Sequence, residues 1–328
     1  MTHAYPRRTF LALSAAAVGV AGCGADDMAG GGGADYPSED LDWTIAFGPG
    51  GGNDIMSRTM VDILEREKLY PEHITVQNRE GGSGATGWGY VFGKSGDPYV
   101  ISTTSGSFLT TPLESDPGWT HADFTPVGLF ATDAALLVVN ASSGITTWQQ
   151  WVDHAKSKGT VPVGGIGTVN VDFILHDMFA TKAGYKIDYV PFNDEGQLLT
   201  ALTSKSLDAL VSNPGEVMGQ VDAGDMVPLL FTGSESPAAL SDVPTGESLG
   251  FTGLPTMPRG LILPPDVPDS ARQWWIATMK KLVRTEKWAA YLADNYLVED
   301  VRWGDDFGQF LAKTAGDLEK ILRERGAI

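Results

Sequence analysis

The chain reads as an α/β protein of two domains. Three observations lead there. Its 328 residues leave room for about two domains at roughly 100–200 residues each. A unit of strand, glycine-rich turn and helix recurs along it. Its 42% hydrophobic and 20% charged residues are the balance of an ordinary folded protein, which excludes wholesale disorder and a polytopic membrane protein.

Taken in order, Trp43 to Phe47 is a short β-prone run and Gly48 to Gly52 a turn. Ile55, Met56, Met60, Ile63 and Leu64 then recur at helical spacing behind a cap at Asn53 or Asp54. The unit repeats with a strand at Ile74 to Gln77, a turn from Asn78 to Gly84, a small-residue helix over Ala85 to Phe92 and a third strand at Tyr99 to Thr103. Such βαβ grammar implies a parallel sheet. A second series runs through Ala134 to Val139, a helix around Thr147 to Lys158, Val161 to Val163, a helix over Val171 to Ala183, and Ile187 to Val190. The C-terminal third reads as helical, with Phe307, Phe310, Leu311, Leu318, Ile321 and Leu322 on one face behind a cap at Asp305.

Charge and cysteine narrow the function. Lys plus Arg number 23 and Asp plus Glu 41, a net charge of −18, so the surface repels a phosphate backbone and nucleic acid is not an expected partner. The single cysteine, Cys23, allows no intramolecular disulfide and no thiolate metal cluster. Arg7-Arg8-Thr9-Phe10-Leu11 is a twin-arginine pattern, and the apolar stretch after it is too short to span a bilayer, so residues 1–22 read as an export signal. The signal ends in Val20-Ala21-Gly22-Cys23, which resembles the lipobox of bacterial lipoproteins, where the cysteine carries the lipid. Residues 23–40, glycine-rich and acidic, are the expected tether.

The glycines mark the expected site. Turns at the carboxyl ends of strands in open α/β sheets present backbone N–H groups to ligands. Gly50-Gly51-Gly52-Asn53-Asp54, Gly81-Gly82-Ser83-Gly84 and Gly164-Gly165-Ile166-Gly167-Thr168 are three such turns, suited to an anion at a helix N-terminus. Enzyme motifs fare worse. Gly82-x-Gly84-x-x-Gly87 matches a dinucleotide fingerprint, but the next strand ends in Ser102-Thr103-Thr104 where a ribose-binding acid belongs. A hydrolase acting through Ser83 or Ser107 lacks an evident base. His3, His73, His121, His154 and His176 are scattered without ligand spacing, so neither a metal nor a cofactor is expected. His176 reads as a satisfied surface or boundary histidine. An exported two-domain protein of this kind is a binding protein, not an enzyme.

Phe47-Gly48-Pro49-Gly50-Gly51-Gly52-Asn53-Asp54, Asn78-Arg79-Glu80-Gly81-Gly82-Ser83-Gly84, Val190-Pro191-Phe192, Leu207 to Glu216, Val243-Pro244-Thr245, Gly250-Phe251 and Arg259 to Pro265 follow one another in an order and spacing that resembles the substrate-binding receptors of tripartite tricarboxylate transporters, the Bug receptors, and especially their tricarboxylate branch. The resemblance runs from about Leu41 to the C-terminus. It implies a type II periplasmic-binding-protein fold of two α/β lobes joined by two crossing strands, at Val127 to Ala131 and Gly260 to Pro264. Lobe one would be 41–130 plus 262–328, and lobe two 131–261, with the ligand between them. Carried over by position, the first-lobe contacts are Pro49, Gly50, Gly51, Asp54, Ser83 and Gly84, with Thr103, Thr104 and Ser105 closing that wall. The second lobe would supply Gly165, Gly167, Thr168, Asn170, Asp172, Phe192, Asn193, Ser212 and Asn213. Arg259, the only basic residue between Leu210 and Arg272, is expected either to clamp a ligand carboxylate or to brace the hinge against Asp172 or Glu216. Where the family has a glycine-rich turn after Val190-Pro191-Phe192, this chain has Asn193-Asp194-Glu195-Gly196, which adds negative charge near the expected cleft.

The expected function is capture of a small organic carboxylate, a tricarboxylate or dicarboxylate, by a lipid-anchored monomer outside the cytoplasmic membrane. Its partners would be the membrane components of a tripartite transporter and, through lipidated Cys23, the membrane itself. A receptor for a neutral or aromatic molecule, an exported serine hydrolase and a purely structural lipoprotein are the alternatives.

Overall fold

A computed structural model of the protein describes residues 36–233 and 236–328; the expected export signal, Cys23 and most of the expected tether lie outside them. The expected tether extends to residue 40, but the chain is already packed at Tyr36. Its hydroxyl donates to the Pro98 carbonyl at 2.8 Å and accepts from the Trp275 indole at 2.8 Å, and its ring lies against Tyr99 and Trp274. Buried aromatic area of this kind holds a segment to its domain.

The first stretch contributes β1 (Leu41–Ile45), α1 (Gly52–Arg66), β2 (Ile74–Asn78), α2 (Ala85–Phe92), β3 (Val100–Thr103), α3 (Gly106–Glu114) and β4 (Thr125–Asp133). Leu41, Trp43 and Ile45 are buried on one side of β1 against Met56, Met60, Ile63 and Leu64 of α1, which is why this apolar spacing makes a helix lying on a sheet. The second stretch contributes β5 (Leu136–Asn140), α4 (Trp148–Lys158), β6 (Thr160–Ile166), α5 (Val171–Ala183), β7 (Lys186–Phe192), α6 (Glu195–Thr203), β8 (Ala209–Ser212), α7 (Pro214–Asp222) and β9 (Met226–Phe231). The last comprises β10 (Met257–Leu263), α8 (Asp269–Leu282), α9 (Glu286–Asp294), β11 (Val298–Trp303) and α10 (Asp305–Glu324).

Two sheets result, in the orders β11-β4-β10-β3-β1-β2 and β7-β6-β8-β5-β9. Each contains the expected parallel pairs, β1 with β2 and β3 in one and β6 with β7 and β8 in the other. Neither sheet is wholly parallel. The strand β10 returns from the second sheet and enters the first between β3 and β4, antiparallel to both. All seven of its residues are buried. At Gly260 a Cβ would lie 2.8 Å from the Gly128 carbonyl oxygen and 2.9 Å from Phe307 Cε1, with Cζ closer still, so only glycine fits.

Pairing of β4 with β10 runs from Thr125↔Leu263 to Asp133↔Met257. The boundaries expected at 130/131 and 261/262 therefore fall inside two strands of the first sheet, and the second sheet is built wholly between Leu136 and Phe231. The C-terminal part is helical apart from β11. The N-cap of α10 is Gly304, with Asp305 the first residue inside. His176 is fully buried rather than superficial, with Nε2 at 3.0 Å from the Gly164 carbonyl, and burial pushes it down to about 4.

Candidate functional site

The carboxyl ends of strands from both sheets open onto one cleft, where α1, α3, α5, α6 and α7 all begin. Each helix start carries N–H groups without intrahelical partners and the positive end of a dipole. From the first sheet the lining includes Phe47, Gly48, Gly51, Gly52, Asn53, Ser105, Gly106, Ser107, Met257 and Arg259. The second sheet supplies Ile166, Asn170, Val171, Asp172, Asn193, Asp194, Glu195, Ser212, Asn213 and Glu216.

The three glycines after β1 do different things. Gly50 takes the left-handed φ of +87°, which favours glycine, and its N–H donates to Asp54 at 3.0 Å. Gly51 is the N-cap of α1 with φ −80°. Gly52 makes room: a Cβ there would lie 2.9 Å from Arg259 Cζ and 3.0 Å from Glu216 Oε1. The Gly52 N–H donates to the Glu216 carboxylate, a contact from the first sheet's helix to the second's. Neither Asn53 nor Asp54 caps α1 as expected. Asp54 reaches back to Gly50 and across to Arg58 and Asn78, and against its burial these hydrogen bonds hold its carboxyl below the usual range.

Arg259 is 3% exposed. Its Nε and Nη2 both donate to Asp133, Nη1 donates to Asn53 at 3.1 Å and Nη2 to Asn213 at 3.2 Å. The hinge reading of this residue is the one the contacts support. Its acidic partner is Asp133, at the end of β4, and not Asp172 or Glu216, because β10 runs beside β4 and places the two side chains together. Burial pushes Asp133 up to about 6 in spite of the guanidinium.

The second wall is acidic. Asp172 accepts from the Ile166 N–H at 2.7 Å, and burial pushes it up to about 8. The Ser212 hydroxyl lies 2.6 Å from Glu195 and 2.9 Å from Glu216. One hydroxyl has a single proton to give, so the second of these contacts requires a protonated carboxyl. Burial, and then the neighbouring Glu216, push Glu195 well above the ordinary range. All three acids stand in the first turns of their helices, where the dipole favours negative charge.

Of the residues expected at the site, Gly51, Ser105, Asn170, Asp172, Asn193, Ser212, Asn213 and Arg259 line the cleft. Pro49 and Gly50 are exposed on the turn and Asp54 is turned to Arg58. Thr104 is held by β10 through Gly260, and the Thr103 carbonyl accepts from the Trp88 indole. Gly84 is covered by Trp88 and Gly165 by Asp172. Thr168 donates its N–H to Ser83 Oγ at 3.3 Å, with Gly167 beside them, so these residues join the two sides without lining the cavity. Phe192 lies under the cleft against Gly164. Glu195 and Glu216 are lining residues that the turn-based reading passed over; the acidic departure at Asn193-Asp194-Glu195 was the visible signal. None of the described histidines lines the cleft, so Ser107 has no imidazole base there, and the described residues hold no group of three or more acidic, histidine or cysteine side chains arranged for a metal.

The model of the tripartite tricarboxylate transporter family receptor matches residues 59–327. The chain belongs to that family. BugT of Bordetella pertussis is 23% identical over 239 residues, 71% of this chain and 73% of BugT. A protein encoded between tcbD and tcbE in Pseudomonas sp. strain P51 is 24% identical over 260 residues, 76% of this chain and 75% of its own. Among solved structures the periplasmic binding protein BugD superposes with TM-score 0.82 at 17% identity, over 89% of this chain and 99% of BugD. MatC of Rhodopseudomonas palustris, solved with malate, gives 0.80 at 19% identity, over 88% and 100%. A second R. palustris protein, solved with adipate, gives 0.81 at 21%, over 89% and 99%. The receptor therefore has the fold of periplasmic binding proteins, and as an exported solute-binding component of a transporter it is not an enzyme.

Proposed function

We propose that the receptor captures a small organic carboxylate in the cleft between its two sheets and delivers it to the membrane components of a tripartite transporter, working as a monomer tethered by a lipid on Cys23. The observation that supports capture is the start of α3. Ser105, Gly106 and Ser107, the cap and first residues of this helix, line the cleft, and the buried Ser105 Oγ has no partner among the described residues; a helix start of this kind suits an anion. The malate and adipate seen in two relatives of the same fold agree with it.

A thermal-shift and calorimetric series of small carboxylates tests the reading. A carboxylate at 100 times its dissociation constant stabilises the folded state by about 2.7 kcal/mol; no shift with any member of the series refutes it, and turnover of a generic ester probe would refute the receptor role itself. For the anchor, Cys23→Ala should leave binding intact and free the protein from membranes. An exported alanine variant that stays membrane-bound after a carbonate wash overturns that part.

A further inference from the structure

The helix α5 is buried on two faces. Val171, Leu175 and Phe179, four residues apart, belong to the core of the second sheet. Ile174, Asp177, Met178 and Thr181 form another stripe, at the spacing of a single helix face, and this one meets the helices of the first sheet. Ile174 is fully buried in the cluster that holds Phe108 of α3 and Leu311, Leu318 and Leu322 of α10, and Met178 packs against the same cluster. Arg325, just past α10, donates to Asp177 and, at 3.0 Å, to Thr181 Oγ1. Before the start of α5, the Thr168 N–H donates to Ser83 Oγ, so the seam runs the length of the helix. None of these residues lines the cleft.

We infer that α5 and the end of α10 form a latch: the stripe from Ile174 to Thr181 seats on α10 and Arg325 and holds the two sheets together with no contribution from a ligand. The inference goes beyond the carboxylate reading and does not depend on which solute the cleft takes. Parting the sheets at the cleft would lift α5 from α10, bring Ile174 into water and separate Asp177 from its guanidinium. The chemistry of the stripe suits a contact that is made and broken. A permanent core face would be apolar throughout, whereas here an ion pair stands at its middle with each side chain about a quarter exposed, at 25% and 26%; a pair so placed never pays the full desolvation of a buried one and parts at little cost. The apolar residues supply the grip and the ion pair the register. Solute enters and leaves only when the latch lifts, so residues remote from the cleft set the rate of exchange.

The test is thiol labelling of the full-length chain. Cys23 is its only cysteine, so the double variant Cys23→Ala/Ile174→Cys carries one reporter thiol, inside the seam. The protein is unfolded in guanidinium chloride and refolded before use, which strips any bound solute. Labelling with an aromatic disulfide reagent should run roughly ten- to hundredfold slower than in the unfolded chain, the scale of burying one isoleucine side chain. It should also depend on urea far less steeply than global unfolding does, because lifting the latch exposes only the seam. Adding Arg325→Glu, which sets a second carboxylate against Asp177, should speed labelling about fivefold, while Arg325→Lys keeps most of the protection. Met178→Cys provides the same readout if the first reporter does not fold. Labelling at the rate of the unfolded chain would overturn the latch, since the sheets would then rest apart. Protection that Arg325→Glu leaves untouched, or labelling as steep in urea as global unfolding, would overturn it too, by showing the seam to be permanent core.

Discussion

Replacement of Arg259 by methionine separates bracing from ligand clamping. The side chain is buried at 3% exposure beside an equally buried Asp133 and donates to Asn53 and Asn213. Removing one member of a buried ion pair costs about 3–5 kcal/mol, because the other charge is stranded. Burial already raises Asp133 to about 6, so the stranded carboxyl will take up a proton near neutral pH and hold the cost within that range. At roughly 2–4 °C per kcal/mol for a domain of this size, the unliganded midpoint should fall by roughly 6–20 °C. The deficit should shrink below about pH 6, where the wild-type carboxyl is also protonated and the pair is already weakened. Differential scanning calorimetry of the single variant and of the double variant Asp133→Leu/Arg259→Met checks this, since replacing both partners by apolar groups should recover most of the loss. An unchanged unliganded midpoint together with a large loss of ligand affinity would refute the brace and return Arg259 to the ligand.

Three further outcomes follow from the same geometry. Gly52→Ala should destabilise by about 1–3 kcal/mol, the cost of overpacking, although alanine is the better helix former; a more stable variant in urea unfolding would show that Arg259 yields without cost. Gly50→Ala should cost about 1–2 kcal/mol through its left-handed φ alone and leave ligand affinity unchanged, since nothing lies near its absent Cβ; altered affinity in calorimetric titration would contradict that. Asp133 and Asp172, raised to about 6 and about 8 from 3.8, bind protons more tightly folded than unfolded, so their share of stability is complete at acid pH and is lost as pH climbs through those values. His176, lowered to about 4 from 6.5, acts oppositely, its share being lost as pH falls below 6.5. Denaturation followed from about pH 5 to about pH 8 should show stability declining at the alkaline end, and Glu195→Gln should flatten that decline; a rising curve there would mean that the acids are ionised.

Local signals located the helices well. The helix over Ala85 to Phe92 and that over Val171 to Ala183 occupy the expected residues, the second because Asn170 caps it and Gly184 ends it. What escaped the sequence was tertiary. Nothing local announces that β10 will lie between β3 and β4, or that Asp133 and Arg259, 126 positions apart, will meet. Glycine-rich turns were read as open anion cradles, yet Gly50 is engaged by Asp54 and Gly52 by Glu216. The protein's own carboxylates occupy donors that the turns alone made look available, and only the acidic departure after Phe192 hinted at it.

The position of β10 also dictates an order of assembly. The second sheet is formed by one uninterrupted run from Leu136 to Phe231, so all its strands can pair before the last hundred or so residues have been synthesised. The first sheet cannot close at that stage. Its strands β3 and β4 are neighbours only through β10, and until residue 263 has emerged each presents an open edge that could pair with another chain. Closure of so long a loop is the slow kind of contact. The nascent first half is thus the stage most exposed to misassociation, and a holding chaperone would act there, before the returning strand seals the sheet.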